Sequence, residues 1–353
     1  MKIDLVKIVP HTLNFKFEAG TSRGTLTEHN IWYLIIESNG KRGIGEIAPL
    51  KGLSIDYGVD FNTIISKIDF NNINIESVED VFTQIQQLEL SQYPALVFAL
   101  ETAFLDLFYG GKRKIFDADF FNKEFEIPIN GLIWMSSKEN MLEQIRSKII
   151  DGYKCLKLKI SKENWKDELD VLKYIRQEHD SEKMMLRVDA NGAFNFEEAK
   201  EVIKALALLE VHSIEQPILA GQLDQMKELI KISKIGIALD EELIGVSTKE
   251  DKIKLLDELE PHFLILKPTL LGGFHACDEW IELAIEREID FWVTSALESN
   301  IGLNAICQYV EFNEIEGFQG LGTGQLYHNN IESPLTIDNG HIYYDLEKDW
   351  RFL

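Results

Sequence analysis

The sequence predicts an α/β protein: a parallel (β/α)7β barrel joined to a smaller α+β domain. Three observations point there. From Glu126 onward, short apolar runs alternate strictly with helical patterns. Five of these runs end at or next to a charged residue: Lys159, Asp189, Glu215, Asp240 and Lys267. These follow one another at intervals of 25 to 30 residues, the length of one strand, one helix and two short loops. The first 125 residues instead read as strands followed by helices, the pattern of a separate α+β domain. In a TIM-like barrel all strand ends meet at one face, so the five charged groups should converge there. The expected boundaries are 1–125 for the α+β domain, with 325–353 returning to it, and 126–324 for the barrel.

The elements follow in order. Leu13, Phe15 and Phe17 alternate with polar neighbours, a strand pattern. A second strand is expected at Ile31–Glu37, and Asn39-Gly40 predicts a hairpin into Lys41–Ile47. Tyr93 to Tyr109 reads as a helix, with Leu96, Leu100, Phe104 and Leu107 on one stripe. The barrel strands are expected at Ile127–Ile133, Tyr153–Ile160, Met184–Asp189, Val211–Glu215, Ile235–Asp240, Phe263–Lys267 and Phe291–Ser295. A weaker eighth falls near Gly317–Leu321. Asn195 with Glu198 predicts a capped helix whose stripe is Ala199, Val202, Ile203, Leu206 and Leu209. Trp165, Leu169, Leu172 and Ile175 form another stripe. The strands are apolar on both faces, as expected for a parallel sheet covered by helices. Asn339-Gly340 followed by Ile342-Tyr343-Tyr344 adds a strand in the tail.

Composition narrows the functions available. Acids outnumber bases 59 to 36, a net charge of −23, which argues against nucleic-acid or anionic-membrane partners. A small-molecule carboxylate would find its positive charge locally, in the lysines and a metal. Cys155, Cys277 and Cys307 form no C-x-x-C pair, so no zinc knuckle or redox motif is expected. The start of the chain lacks a long apolar leader, and no run has membrane-spanning length. A cytoplasmic protein is expected, and its oligomeric state is open.

The chemistry is concentrated at the strand ends. Positions i and i+2 of a strand share a face, so Lys157 and Lys159 point together into the barrel while Leu156, Leu158 and Ile160 face the helices. Two close ammonium groups near a dication should each resist protonation, lowering a lysine toward neutrality. Lys159, nearer the C-terminal end, is the expected general base and Lys157 its modulator. Asp189, Glu215 and Asp240 supply three hard oxygen ligands from adjacent strands, suited to Mg²⁺, with Mn²⁺ as the other ion such a set accepts. Lys267 has three readings: a rim lysine, a Schiff-base amine, or a cation across the substrate from Lys159. The three acids favour the last. Arg187 shares a face with Asp189, as a partner of the acids, an anion contact or a structural ion pair. Asn191 reads as a turn residue, and no histidine spacing fits zinc. Gly320-Leu-Gly-Thr-Gly324 is either an anion cradle or a tight turn.

This set resembles the enolase superfamily, within it the muconate-lactonizing-enzyme subgroup. Its mark is K-x-K after the second barrel strand, then Asp, Glu, Asp and Lys after the third to sixth. Gly43-Ile-Gly45-Glu46-Ile-Ala-Pro49-Leu50 is similar to the capping domain of that family. Leu100-Glu-Thr-Ala103 and Ile127-Pro-Ile-Asn130-Gly131 are similar to its lead-in to the barrel. The first domain is then a capping domain. Leu266–Gly273, Thr294–Gly302 and Gly320–Gly324 look like those of the dehydratases in this subgroup that act on a succinyl-substituted hydroxycyclohexadiene carboxylate in menaquinone biosynthesis. The resemblance implies that Lys159 removes the α-proton, giving an enediolate stabilised by Mg²⁺, and then protonates the departing hydroxyl, with Lys267 stabilising the anion. Ser295 and Ser299, near the end of the seventh strand, and Arg23 are candidate contacts for the succinyl carboxylate. Gly20–Gly24 and Gly52–Gly58, with glycine hinges, are either lids or ordinary connections. N-acylamino-acid racemase and dipeptide epimerase are the alternatives on the same fold. The acidic D-x-D with which dipeptide epimerases hold the substrate's ammonium has no counterpart here.

Overall fold

The computed structural model describes residues 2–21, 24–122 and 125–351. Its N-terminal part is an antiparallel meander of Leu5–Thr21, Gly24–Ser38 and Lys41–Ile47. Asn39 and Gly40 both take positive φ, 50° and 75°, the turn whose twist matches a two-residue hairpin. The helix Pro94–Phe108 lies across the third strand. Gly45 permits that approach, because a Cβ there would stand 1.9 Å from the Ala99 carbonyl oxygen. The sequence shows one apolar stripe on this helix, yet it is buried nearly all round, Glu101 and Asp106 included. It is enclosed between the meander and the barrel helices Pro268–Leu271 and Gly273–Ile285, so every face is a packing face.

Seven parallel strands form the barrel wall: Gly131–Ile133, Cys155–Lys159, Met185–Asp189, Ser213–Glu215, Gly236–Leu239, Phe263–Leu266 and Asp290–Val293, neighbours in that order. The eighth is reduced to Gln319 and Gly320, which bridge Ile129 on one side and Thr294 on the other and close the cylinder. The expected strand Ile127–Ile133 is divided. Ile127–Pro128 pairs antiparallel with the tail, and the chain changes partner at Ile129, whose N–H donates to Gly340 while that of Asn130 donates to Gln319.

Strand alternation separates two apolar layers. Leu156, Leu158, Val188, Ile214, Leu239 and Leu266 belong to the large core shared with the helices. Ala238, Ile265 and Trp292 form a small separate cluster with Phe263, the floor of the barrel interior. Side chains two residues further along those inward faces lie above this floor, and the charged groups come from there.

The chain after Gln325 divides its contacts. Tyr327 bridges Phe15, and the Leu326 carbonyl accepts from the Lys16 N–H at 2.8 Å. Beyond that, Leu335–Asp338 and His341–Tyr344 form a hairpin on Ile127–Pro128 at the base of the barrel. No helix among the described residues is long and apolar enough to cross a membrane.

Candidate active site

The five charged strand ends and Lys157 meet at the barrel mouth, with acids and lysines interleaved. Lys157 Nζ lies 2.6 Å from Glu215 Oε2 and 3.2 Å from Asp189 Oδ2. Lys159 Nζ donates to the same Asp189 oxygen at 2.6 Å and to Asn191 Oδ1 at 2.7 Å. Lys267 pairs with Asp240 and lies 3.8 Å from Glu215 Oε1. Two of the acids follow from register: Lys159, Asp189 and Glu215 stand side by side on adjacent strands, and Asp240 lies two residues beyond Ala238, the partner of Glu215.

Burial would push Asp189 up, but Lys159, Lys157 and Lys267 together hold it far below the carboxylate range. Asp240 moves the other way, to about 8, from burial and the charges of Glu241, Glu215 and Asp189, against the pull of Lys267. Lys157 departs from the expectation of a depressed lysine. Burial does favour its neutral form, but Glu215 and Asp189 outweigh it and the pKa is raised. Lys267 is raised likewise, by Asp240 and Glu215 against burial. The reason is the interleaving: each of these ammonium groups has carboxylates nearer than other ammonium groups.

The donor set fits a hard divalent cation, since three buried carboxylates are its preferred ligands. Glu215 carries the fit: both its oxygens are buried, and their neighbours are ammonium groups, Lys157 Nζ at 2.6 Å and Lys267 Nζ at 3.8 Å. A carboxylate sealed from water usually has its lone pairs taken by neutral N–H or O–H donors. Those of Glu215 face only cations. Among the described residues, no three metal-ligating side chains are gathered on one point, because Lys157 stands between Asp189 and Glu215, and Lys267 between Glu215 and Asp240. The ammonium groups hold positions between the acids where a shared cation would neutralise them.

A cavity of about 1160 Å³ opens above this layer. Lys157, Lys159, Asp189, Asn191, Lys267 and Ser295 line it from the barrel, and Phe17, Leu26, Leu50 and Leu53 from the first domain. Glu215 and Asp240 lie beneath the lysines, outside its lining. Ser295 faces the cavity, but Ser299 does not: it caps the helix Asn300–Phe312 and bonds Glu46. Arg187 does not reach the cavity either. One residue pair below Asp189, its guanidinium donates to the Phe318 carbonyl at 2.8 Å and stacks 3.8 Å from the centre of the Trp292 ring. It is therefore part of the floor and not an anion contact in the cavity. Arg23 lies outside the described residues. The 320–324 turn borders the cavity with Gly320, Gly322 and Thr323, and Thr323 Oγ1 donates to Ser295 Oγ at 2.7 Å.

Two groups have a larger place than the sequence suggested. Asn191 is a turn residue, at φ 44°, but its side chain also joins Lys159 to Glu241, whose Oε1 accepts from Asn191 Nδ2 at 3.0 Å. The Asp-x-Asn spacing, two residues along one face, was the available signal. Gln216, at φ 41°, accepts from the Asp240 and Glu242 N–H groups and so ties the fourth strand end to the fifth. Nothing in its local pattern announces that role.

Comparison with known proteins agrees with this fold. Residues 140–346 match the family described as enolase C-terminal domain-like. The chain is 42% identical over 352 residues to the o-succinylbenzoate synthase of Desulfotalea psychrophila, covering 93% of this chain and 95% of that one. The crystal structure of MenC from the same organism superposes with a TM-score of 0.85 at 38% identity, over 97% of this chain and 100% of that one. A dipeptide epimerase from Enterococcus faecalis, solved with Mg and the dipeptide L-Leu-L-Tyr, shares the fold with a TM-score of 0.81 at 18% identity, over 99% and 98% of the two chains. The chain belongs to the enolase superfamily of enzymes, with a barrel and a capping domain.

Proposed function

We propose that this protein catalyses the o-succinylbenzoate synthase reaction, the Mg²⁺-dependent dehydration of 2-succinyl-6-hydroxy-2,4-cyclohexadiene-1-carboxylate to 2-succinylbenzoate in menaquinone biosynthesis. The observation that carries the proposal is that Lys159 and Lys267 line one cavity above three interleaved acids. The 42% identity to a relative of that activity supports the choice of substrate.

Asp189, Glu215 and Asp240 would hold the ion, which when bound supplies positive charge opposite the carboxylate as its α-carbon loses a proton. Lys159 acts as the base. Its side chain is the most exposed of the three lysines, at 13%, and lines the cavity where the substrate would sit. Asn191 holds Nζ in place through the 2.7 Å bond. The neutral amine takes the proton of the C–H bond, and the resulting ammonium returns it to the hydroxyl on the adjacent ring carbon. The C–O bond breaks, water leaves and the ring becomes aromatic. Lys267, anchored by Asp240, presents its charge to the growing anion. Lys157, seated between two acids, modulates the charge around Lys159.

Racemisation of an N-acylamino acid uses the same two lysines, one on each face of the α-carbon, so both lining one cavity favours it as a second activity. A dipeptide's ammonium is less well served. The eighth-strand side of the cavity presents Gly320, Gly322 and Thr323 and no carboxylate. Turnover of the purified protein on the cyclohexadiene acid, measured against N-acylamino acids and a dipeptide panel, tests the assignment. The acid should be preferred by a wide margin in kcat/KM; preference for a dipeptide would overturn the proposal.

A further inference from the structure

After the seventh barrel strand the backbone adopts a conformation that leucine avoids. Leu297 has φ +67°, the left-handed region in which a side chain crowds the following carbonyl. The same residue lines the cavity and packs against the apolar cluster of the capping domain. Bulky residues persist there where their surroundings over-determine them, and such places gather at ligand sites.

The over-determination is specific. The Leu297 carbonyl accepts the Tyr327 hydroxyl at 2.6 Å and faces His29 Nδ1 at 3.1 Å. The Leu297 N–H donates to Ser295 Oγ at 3.2 Å. His29 comes from the strand Gly24–Ser38 and Tyr327 from the returning tail, and both are buried. Burial holds the imidazole neutral, with a pKa near 4, so it carries one N–H. Its other nitrogen lies 3.4 Å from the Pro49 carbonyl. The shorter contact, to Leu297, takes the proton.

We propose that His29 and Tyr327 are positioning residues for substrate selection. Through one shared acceptor, the Leu297 carbonyl, they hold Leu297 left-handed and set its side chain as an apolar wall of the cavity. Neither touches the reacting atoms. The wall exists only where the capping domain and tail are seated on the barrel, so cavity shape depends on that docking. An uncharged ring packs against such a wall. A charged side chain at the same place is left without a partner and is rejected. The choice of ligand rests on the dehydratase reading; the backbone claim does not.

Steady-state kinetics on the cyclohexadiene acid, thermal melting and crystal structures of Tyr327→Phe, His29→Leu, His29→Gln and the Tyr327→Phe/His29→Leu double variant test it. Losing one hydrogen bond should raise KM about fivefold with kcat within about twofold, while His29→Gln, whose amide reaches the same carbonyl, stays near wild type. The double variant should show Leu297 outside the left-handed region. Unchanged KM in both single variants, or a left-handed Leu297 in the double variant, overturns the proposal. If the wild type does not turn over the acid, the dehydratase reading falls, and the crystal structures still decide the positioning role.

Discussion

Glu46 and Glu215 are both glutamates sealed from solvent, yet their surroundings are opposite. Glu46, in the capping domain, accepts from the Ser299 N–H at 2.7 Å, the Ser299 hydroxyl at 2.6 Å and the Gly302 N–H at 2.9 Å. All three donors are neutral and stand at the start of the helix Asn300–Phe312. Among the described residues no cation pairs with it, and burial pushes it up to about 7. Glu215 is paired instead with ammonium groups, Lys157 at 2.6 Å and Lys267 at 3.8 Å, and among the described residues no neutral donor bonds it. A carboxylate whose lone pairs are all used is a fastener, here between capping domain and barrel. One that faces ammonium groups can exchange them for another cation. Burial alone does not distinguish the two; the kind of partner does.

The largest expected effect is on the base. Lys159→Ala should lower turnover about 10³-fold or more, the scale of a lost general base, while melting temperature and metal affinity hold. Turnover near wild type would remove Lys159 from its role. Next comes Glu215→Gln. Metal removal by EDTA should abolish activity in the wild type, and Mg²⁺ at about a hundredfold over its Kd should stabilise it by about 2.7 kcal/mol against unfolding. Glu215→Gln should lose most of that stabilisation and most turnover. A Mg²⁺-dependent melting shift equal to that of the wild type would place the ion elsewhere and erase the contrast with Glu46.

Much of this was legible in the sequence because barrel geometry converts spacing into position. Lys159, Asp189, Glu215, Asp240 and Lys267 each end a short apolar run, Lys157 shares a face with Lys159, and the parallel strands bring all six to one end of the barrel. Arg187 obeys the same alternation but sits one layer lower, and alternation fixes a side of the strand without fixing a depth. The break in Ile127–Ile133 was hidden because its partners, Gly340 and Gln319, lie about two hundred residues away. The part of Glu241 was hidden by its place beside Asp240. It reaches the site through Asn191, a contact that no local pattern encodes.

Glu46 makes a prediction in pH. Its folded pKa of about 7 stands above the unfolded value of 4.5, so the folded state binds more protons between those two values. The associated stability is fully present below pH 4.5 and is lost as pH rises through 7. Glu46→Gln cannot titrate, so the difference in unfolding free energy between variant and wild type should change across that interval, in favour of the variant as pH rises. Denaturant unfolding of both proteins at several pH values measures this. A constant difference would mean that the folded pKa of Glu46 is not raised above its unfolded value.

The smallest expected effects separate two serines that look alike in the sequence. Ser295 and Ser299 stand four residues apart after the same strand, and both suit contact with a substrate's second carboxylate. Ser295 faces the cavity, where its hydroxyl is held by Glu298 and Thr323. The hydroxyl of Ser299 donates to Glu46 and accepts from the Ile301 N–H, so it belongs to the fastener. Ser295→Ala should raise KM a few-fold and leave the melting temperature close to wild type. Ser299→Ala should leave KM alone and cost about 1 kcal/mol of stability, the usual loss of a helix cap, with a larger loss above pH 7, where an ionised Glu46 has one donor fewer. Paired KM and unfolding measurements on the two variants decide the matter. If Ser299→Ala raises KM as Ser295→Ala does, the fastener reaches into substrate binding, and the division drawn from Glu46 and Glu215 does not extend to their neighbours.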